Sequence, residues 1–143
     1  MKVFVYGTLR KEGRLHCVIK NSIKDIKKAY LRGATMFDLT CGCYPHVSPT
    51  SPTDHPNRTV VGELISFKED MEIDAFRSMD RIELGAGYDR INVELELEDG
   101  TTEIAVIYVI PEERAKRILK NSKMYKRVIC GDWMKYLAMN SVG

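Results

Sequence analysis

Residues 2–10 read Lys-Val-Phe-Val-Tyr-Gly-Thr-Leu-Arg, a β-rich run that stops at Gly7 and continues into polar and charged residues. The β-branched and aromatic side chains before Gly7 alternate in the manner of a buried strand. A strand that stops at Gly-Thr leaves several backbone N–H groups without a strand partner, and such a nest of donors suits an anion or an oxyanion. An ordinary turn explains the same residues, so the run by itself leaves both interpretations open.

The composition is that of an ordinary globular protein. A chain of 143 residues fits one domain, and its 44% hydrophobic and 29% charged residues are typical values. No apolar run approaches the ~18 residues of a membrane span. Because the first strand follows Met1 directly, we expect no cleaved signal and a cytoplasmic protein. A net charge of +2 does not indicate a nucleic-acid partner.

The four cysteines are expected to be free thiols, because a cytosolic domain of this size needs no disulfides. Cys41-Gly42-Cys43 followed by His46 resembles half of a metal site. No second pair follows at zinc spacing, so we expect neither a bound metal nor any other cofactor.

The first half of the chain predicts alternating short elements. Apolar residues at roughly helical spacing favour one or two short helices within 11–28, and a strand is expected over 29–39. Residues 44–58 hold four of the five prolines and are interpreted as a surface loop. Residues 59–67 read as a strand, in which Gly62 marks a bulge or a close approach of another backbone.

The second half contains the clearest pattern, a β-hairpin. Residues 91–97 and 104–108 alternate, and Asp99-Gly100 between them predicts a type I′ turn. Amphipathic helices are predicted over 71–82, after Pro111 and from about Asp132. Grouped strands with separate helices indicate an α+β fold around a mixed or partly closed sheet.

Glu83 is a candidate catalytic carboxylate because of its position at the end of a predicted helix. The negative end of the helix dipole disfavours a second negative charge, and the neighbouring Ile82 and Leu84 reduce hydration. Both effects raise the pKa of a carboxyl group, as a general base near neutral pH requires. Many helices nevertheless end in an exposed glutamate without a role, so position alone does not decide.

Five segments together resemble the γ-glutamylcyclotransferase-like superfamily, also called the AIG2-like family, in the family's order and spacing. The motifs are closest to those of γ-glutamylamine cyclotransferases. The resemblance implies a single domain over 1–143 with an α+β fold, a mixed β-barrel of about five to six strands flanked by helices. The segments are Tyr-Gly-Thr-Leu-Arg at 6–10, Val-Gly-Glu-Leu at 61–64, Met-Asp-Arg-Ile-Glu at 79–83, Tyr-Asp-Arg at 88–90 and Val-Ile-Tyr-Val at 106–109.

The resemblance also implies a reaction and a site. An enzyme of this family releases 5-oxoproline and a free amine from a γ-glutamyl amide, without ATP, metal or organic cofactor. Glu83 would be the catalytic acid and base. The main chain of Tyr6, Gly7, Thr8 and Leu9 would hold the γ-glutamyl group.

Four further residues are secondary candidates. Tyr88 and Tyr108 are expected either to donate hydrogen bonds to Glu83 or the substrate, or to pack in the core. Arg10 or Arg90 is expected to bind the substrate's α-carboxylate, unless it forms a structural ion pair.

Leu15 replaces an asparagine that family members often carry before the histidine, here His16. This departure motivates an alternative function, a non-catalytic module that binds a glutamyl group or 5-oxoproline. A third interpretation, a nucleic-acid accessory protein, would use the basic residues of 114–127, for which a solvated helix face is the simpler explanation.

Overall fold

The computed structural model describes residues 1–39, 42, 44–49, 58–121, 123 and 125–141, with residues 140 and 141 described by backbone alone. The strands are β1 (Lys2–Val5), β2 (Ile23–Arg32), β3 (Thr35–Asp38), β4 (His46–Ser48), β5 (Thr59–Phe67), β6 (Asp89–Leu97), β7 (Thr102–Val109) and β8 (Lys126–Arg127). The helices are α1 (Glu72–Glu83), α2 (Glu112–Leu119) and α3 (Trp133–Ser141), with single 3-10 turns at His16–Val18, Lys20–Ser22 and Glu69–Met71.

Five strands close into a barrel in the order β1-β5-β2-β6-β7. Strand β1 pairs antiparallel with β5 and parallel with β7, where Val3 faces Val106, so the barrel is mixed. With the three helices it forms the α+β fold that the sequence predicted. Closure removes the exposed edges that an open sheet of this size would present.

The first long strand was predicted in the wrong place. Strand β2 covers Ile23–Arg32, not 29–39, and Gly33, at a φ of +78°, separates it from β3. A bulge between Ile23 and Asp25 shifts the register of the strand. Ile23 and Ile26, three residues apart, therefore both pack against the same apolar cluster. That spacing imitates a helix, which is why the sequence favoured helices within 11–28; only two 3-10 turns form there, at residues 16–22.

A second, three-stranded sheet, in the order β4-β3-β8, was not predicted. Its strand β4 lies in the segment interpreted as a surface loop, and all three of its residues are buried. The loop interpretation of 44–58 is therefore wrong at 46–48. Residues 50–57 lie outside the described part of the chain, as do Cys41 and Cys43 of the half metal motif.

The hairpin of β6 and β7 is confirmed, but its turn differs from the prediction. The Gly100 N–H donates to Leu97 O at 3.0 Å, so Glu98 and Asp99 are the central residues of the turn. Gly100 follows them with a φ of +85°, a conformation that favours glycine.

Alternate residues of the barrel strands form two apolar clusters, one on each face of the sheet. In β1, Val3 and Val5 belong to one cluster and Phe4 to the other. Helix α1 covers the first cluster with Ala75, Phe76 and Met79, which are its buried residues. This packing fixes the end of α1, where Glu83 lies, against the barrel.

Gly62 in β5 marks a close approach. A Cβ atom there would lie 2.4 Å from Val5 O, so only glycine lets β5 pass this close to the end of β1. None of the helices in the described residues is both long enough and apolar enough to span a lipid bilayer.

Candidate active site

A cavity of about 210 Å³ opens where the loop after β1 meets the end of α1. Tyr88, which directly precedes β6, and Tyr108, near the end of β7, form a further part of the wall. The lining residues are Phe4, Val5, Tyr6, Gly7, Thr8, Leu9, Arg14, Leu15, Tyr44, Pro45, Ile82, Glu83, Ala86, Tyr88 and Tyr108.

The loop after β1 contributes three consecutive residues, Gly7, Thr8 and Leu9, to the cavity wall. Within the described residues, the N–H groups of Gly7, Thr8 and Leu9 have no acceptor. Their carbonyl groups, in contrast, anchor the loop: Gly7 O accepts from Arg10 N at 3.0 Å and Thr8 O from Leu15 N at 2.9 Å. The loop is therefore anchored through its carbonyl groups, and the nest interpretation of its three N–H groups stays a prediction.

His16 contacts the main chain of this loop at Leu9. Its Nδ1 lies 3.0 Å from Leu9 O, and its side chain is buried. The contact accounts for a histidine at this place in the sequence without giving it a contact with the cavity.

Gly7 is held against Pro45, which forms the opposite edge of the cavity. A Cβ atom on Gly7 would lie 2.6 Å from Pro45 Cγ and 2.7 Å from its Cδ. Only glycine fits this contact without a shift of the loop or of the proline ring.

Glu83 is the carboxylate of this cavity. It is the last residue of α1, and within the described part of the chain its side chain makes no hydrogen bond or ion pair. Burial raises its pKa to about 7. The predicted direction agrees with the structure, while the cause is desolvation by the cavity wall. A carboxyl group with this pKa accepts and returns a proton near neutral pH.

Three of the four tyrosines that line the cavity donate their hydroxyl protons to protein acceptors. Tyr6 Oη donates to Tyr108 O at 2.5 Å, Tyr88 Oη donates to Pro45 O at 3.2 Å, and Tyr108 Oη donates to Asp80 Oδ1 at 2.5 Å. All three acceptors lack a proton to give back, so the direction of each bond is fixed. The oxygens of these three tyrosines therefore offer only lone pairs to a ligand.

The three hydroxyl groups also remain neutral. Burial is the largest cause that raises the pKa of Tyr6, Tyr88 and Tyr108 well above its usual value, and the negative charge of Glu83 adds to it in each case. None of them is a base near pH 7. Proton transfer in this cavity falls to Glu83.

The donors and acceptors are thus divided between different parts of the wall. The main chain of Gly7, Thr8 and Leu9 supplies donors, whereas Glu83 and the tyrosine oxygens supply acceptors. Such a wall suits a ligand with a carbonyl oxygen or oxyanion at one end and an ammonium group at the other.

The two arginines predicted to bind a carboxylate are both engaged elsewhere. Arg90 pairs with Asp80 at 2.9 Å and lies over the Phe76 ring, 4.8 Å from its centre. Arg10 pairs with Asp132 at 2.8 Å. Neither arginine lines the cavity, so the structure does not bring Arg10 to the other predicted site residues.

The other predicted site residues, Tyr6, Gly7, Thr8, Leu9, Glu83, Tyr88 and Tyr108, all line the same cavity. Sequence reasoning missed Arg14, Tyr44 and Pro45, which also line it, and Asp80, which fixes Tyr108. Asp80 precedes Glu83 by three residues on the predicted helix, and this spacing was a usable signal that the two share a face. No comparable signal points to Tyr44 or Pro45.

In the described part of the chain, no group of three or more His, Cys, Asp or Glu side chains lies close enough to hold a metal ion. The exposed thiols of Cys17 and Cys130 are free.

A family model described as γ-glutamyl cyclotransferase, AIG2-like, matches residues 3–135 of this chain. No sequence among curated proteins matches the chain significantly.

Solved structures share the fold at low sequence identity. Protein PH0828 of Pyrococcus horikoshii is 20% identical, covers 99% of this chain and 96% of its own, and has a TM-score of 0.65. A γ-glutamyl cyclotransferase is 17% identical over 88% of this chain and 68% of its own, with a TM-score of 0.55. An AIG2-like protein of Mus musculus is 21% identical over 76% of this chain and 75% of its own, with a TM-score of 0.51. At these identities the likeness shows the fold alone.

Proposed function

The chain belongs to the γ-glutamyl cyclotransferase, AIG2-like family, and from that premise we propose that it converts a γ-glutamyl amide into 5-oxoproline and a free amine. One observation carries the proposal. The same cavity holds a carboxyl group with a pKa of about 7 and three backbone donors that have no acceptor among the described residues.

The first step is removal of a proton from the substrate. An α-ammonium group is largely protonated at neutral pH and is not a nucleophile in that form. Ionised Glu83 takes one of its protons. The oxygen of Tyr108 accepts a hydrogen bond from the same group, because its own proton is committed to Asp80.

The second step is ring closure within the substrate. The neutral amine attacks the γ-carbonyl carbon, so a C–N bond forms and the carbonyl electron pair moves to oxygen. The N–H groups of Gly7, Thr8 and Leu9 stabilise the negative charge that develops there. The loop that provides them is already anchored before substrate binds, so little reorganisation is needed.

The third step releases the amine. Protonated Glu83 returns its proton to the nitrogen of the leaving amine, the original amide C–N bond breaks, and the carbonyl of 5-oxoproline re-forms. The ring nitrogen, which still carries two protons, then gives one to Glu83, and Glu83 passes it to the released amine, which leaves as an ammonium ion. Glu83 ends ionised, ready for another cycle. The reaction consumes no water, ATP or redox equivalent.

A panel of γ-glutamyl amino acids, γ-glutamyl amines and glutathione, with 5-oxoproline as the measured product, tests the proposal. Glu83→Gln should abolish release of 5-oxoproline, since an amide of the same shape cannot accept the proton. Glu98→Gln, an exposed position in the turn between β6 and β7, is the matched control. Absence of product from every substrate would overturn the proposal.

Leu15 favours one second candidate, a module that binds a glutamyl group or 5-oxoproline without turnover. It places an apolar side chain on the cavity wall where family members often carry asparagine. Calorimetric binding of 5-oxoproline together with no turnover of the whole panel would select this alternative.

A further inference from the structure

A second cavity, of about 260 Å³, lies where the beginnings of β3 and β5 meet β8 and the chain that follows it. The nine described residues that line it include Arg58 and Arg127 and no acidic side chain. None of the nine lines the candidate active site. The described part of this wall is therefore basic, and it is separate from the site of the proposed reaction.

The parts of the wall are tied to one another by the main chain. Val128 N donates to Met36 O at 3.0 Å, and Val61 N donates to Gly131 O at 2.8 Å. A Cβ atom on Gly131 would lie 1.8 Å from Thr59 O, so only glycine lets the chain after β8 pass this close to β5. The described wall thus exists before a ligand arrives, which lowers the cost of ordering it on binding.

The strand register brings the two arginines to one buried threonine. Arg127 faces Phe37 directly across β8 and β3, and Thr35 lies two residues before Phe37 on the same face of the sheet. Diagonal neighbours of this kind are about 7–8 Å apart. From the β5 side, Arg58 Nη1 donates to Thr35 Oγ1 at 2.7 Å. Both arginines therefore approach the cavity next to Thr35, which is 2% exposed.

Several donors around this cavity have no acceptor in the described part of the chain. The Arg127 guanidinium group makes no hydrogen bond or ion pair there. Thr35 Oγ1 accepts from Arg58, and Thr59 Oγ1 accepts from Arg32 Nη1 at 2.9 Å. Each threonine proton is thus left for another acceptor, and neither threonine donates to a described residue. A cluster of donors without an acid is suited to an anion.

The rest of the described wall is apolar and includes Met36, Val128 and Ile129. Ile129 is 92% exposed, so a ligand that covered it would remove apolar surface from water. The volume is below the ~300–1,000 Å³ of sites for drug-sized ligands. The cavity therefore suits a small ligand that has one anionic end and one apolar end.

We propose that this cavity binds a small phosphate monoester with an apolar substituent. Arg127, Arg58 and the two threonine hydroxyl groups hold the phosphate, and the substituent packs against Met36 and Ile129. A phosphate monoester has three terminal oxygens and nearly two negative charges near pH 7, so it matches several donors at once. A carboxylate, with two oxygens and one charge, would be satisfied by a single guanidinium fork. This site goes beyond the proposed reaction and has no part in it.

Phenyl phosphate is the probe, because it joins a phosphate monoester to an apolar ring. Calorimetry on the full chain should show saturable binding, and NMR should find the largest shift changes at Thr35 and Val128 rather than at Gly7 and Glu83. Benzoate, which carries a similar ring and a carboxylate, should bind about tenfold more weakly or worse. The affinity for phenyl phosphate should also fall as pH drops through about 6, where the phosphate takes up its second proton.

Arg127→Gln should weaken the binding of phenyl phosphate about tenfold or more, and Arg127→Lys should weaken it less, because a point charge replaces the fork. Lys126→Gln is the matched control. Lys126 is exposed, pairs with Asp38 and lies on the opposite face of β8 from Arg127, outside the cavity lining. Loss of its charge should change the affinity by less than about twofold.

Ile129→Ser tests the apolar end of the cavity. Because Ile129 is exposed, we expect this variant to fold normally. It should weaken the binding of phenyl phosphate about threefold and leave the binding of inorganic phosphate unchanged. The variant also keeps the inference testable if Arg127→Gln folds poorly.

Five results would overturn the inference. They are no saturable binding of phenyl phosphate, shift changes confined to the candidate active site, an unchanged affinity in Arg127→Gln or in Ile129→Ser, an equal loss in Lys126→Gln, and benzoate that binds as tightly as phenyl phosphate. The last result would assign the cavity to carboxylates. Release of 5-oxoproline is not a readout here, so the inference and the proposed function fail independently.

Discussion

The Tyr108 hydroxyl donates its proton to Asp80 Oδ1 at 2.5 Å, and this bond determines what Tyr108 offers to a substrate. Arg90 holds the other oxygen of Asp80 at 2.9 Å, so the carboxylate keeps its orientation. With its proton committed, Tyr108 presents lone pairs to the cavity. An ammonium group is the matching ligand.

Tyr108→Phe should therefore weaken catalysis through the loss of an acceptor. Hydrogen bonds to charged groups contribute about 1.5–3 kcal/mol, so we expect kcat/KM for a γ-glutamyl amide to fall about 10- to 100-fold. Asp80→Asn should have a smaller effect, because it frees the Tyr108 proton without removing the oxygen. Tyr30→Phe, on β2 outside the cavity lining, controls for loss of a hydroxyl. An equal loss in Tyr30→Phe would contradict this role for Tyr108.

The acid limb of the pH profile should report Glu83. Its pKa is about 7, and only the ionised carboxylate removes a proton from the substrate. We expect kcat/KM to fall about tenfold per pH unit below about pH 6. Initial rates of 5-oxoproline release between pH 5 and pH 8 provide the measurement. A profile that stays flat through this range would assign the base to another group.

Local patterns in the sequence were sufficient for the elements that build the inner wall of the cavity. The β1 run and the glycine after it, the helix that ends in Glu83 and the hairpin that carries Tyr108 depend on neighbouring residues alone. Bringing Tyr6, Glu83 and Tyr108 into one cavity required the closed barrel. The closed barrel was predicted from the family resemblance and not from the periodicity of the residues.

Elements that depend on distant partners were not predictable in the same way. Strand β4 is flanked by Pro45 and Pro49, which favour a loop, and it exists because β3 pairs with it. In strand β2 the alternation of apolar and polar residues is obscured by a bulge and by five lysine, arginine or aspartate side chains among its 10 residues. The pairing of Arg10 with Asp132 spans 122 residues, so nothing near Arg10 signals that it is engaged.

Glu83→Gln should stabilise the protein at high pH. The folded-state pKa of about 7 lies above the usual value of 4.5, so ionisation costs folding free energy as pH rises from about 4.5 to 7. The amide avoids this cost. Between pH 5.5 and pH 8 we expect the free energy of unfolding of the variant to gain up to about 2 kcal/mol on wild type, measured by urea unfolding. Glu98→Gln should show no such gain, and parallel curves for Glu83→Gln and wild type would contradict the raised pKa of Glu83.

Gly7→Ala should reduce activity through the position of the donor loop. The added methyl group would meet the Pro45 ring at 2.6 Å, so the loop, the ring or both must shift. Overpacking of this kind costs about 1–3 kcal/mol of stability. A small displacement of oxyanion donors also lowers kcat, and we expect a loss of about 100-fold or more in 5-oxoproline release.

Gly100→Ala is the control for Gly7→Ala. Gly100 has a φ of +85° and no heavy atom within 4 Å of an added Cβ, so alanine there strains the turn without touching the cavity. We expect a loss of about 1 kcal/mol in stability with unchanged kcat. If both variants lose the same activity at the same stability, the contact between Gly7 and Pro45 has no role in catalysis.

His46, which follows the cavity-lining residue Pro45, should make the stability of the fold sensitive to acid. It is 2% exposed, its ring lies 5.7 Å from the rings of Phe37 and Tyr88, and its Nδ1 has no hydrogen-bond partner among the described residues. Burial, assisted by the charge of Arg114, lowers its pKa to about 4. The folded protein therefore keeps His46 neutral where the unfolded chain would protonate it.

His46→Phe should remove this acid sensitivity. Because the unfolded chain binds the extra proton below its pKa of about 6.5, stability is lost as pH falls from about 6.5 toward 4. We expect wild type to lose about 2 kcal/mol more than His46→Phe in the free energy of unfolding between pH 7 and pH 5. Arg114→Gln should shift the His46 titration upward in pH, since it removes a positive charge that opposes protonation. NMR titration of the His46 ring measures that shift, and a His46 that titrates near pH 6.5 in wild type would contradict its burial as a neutral group.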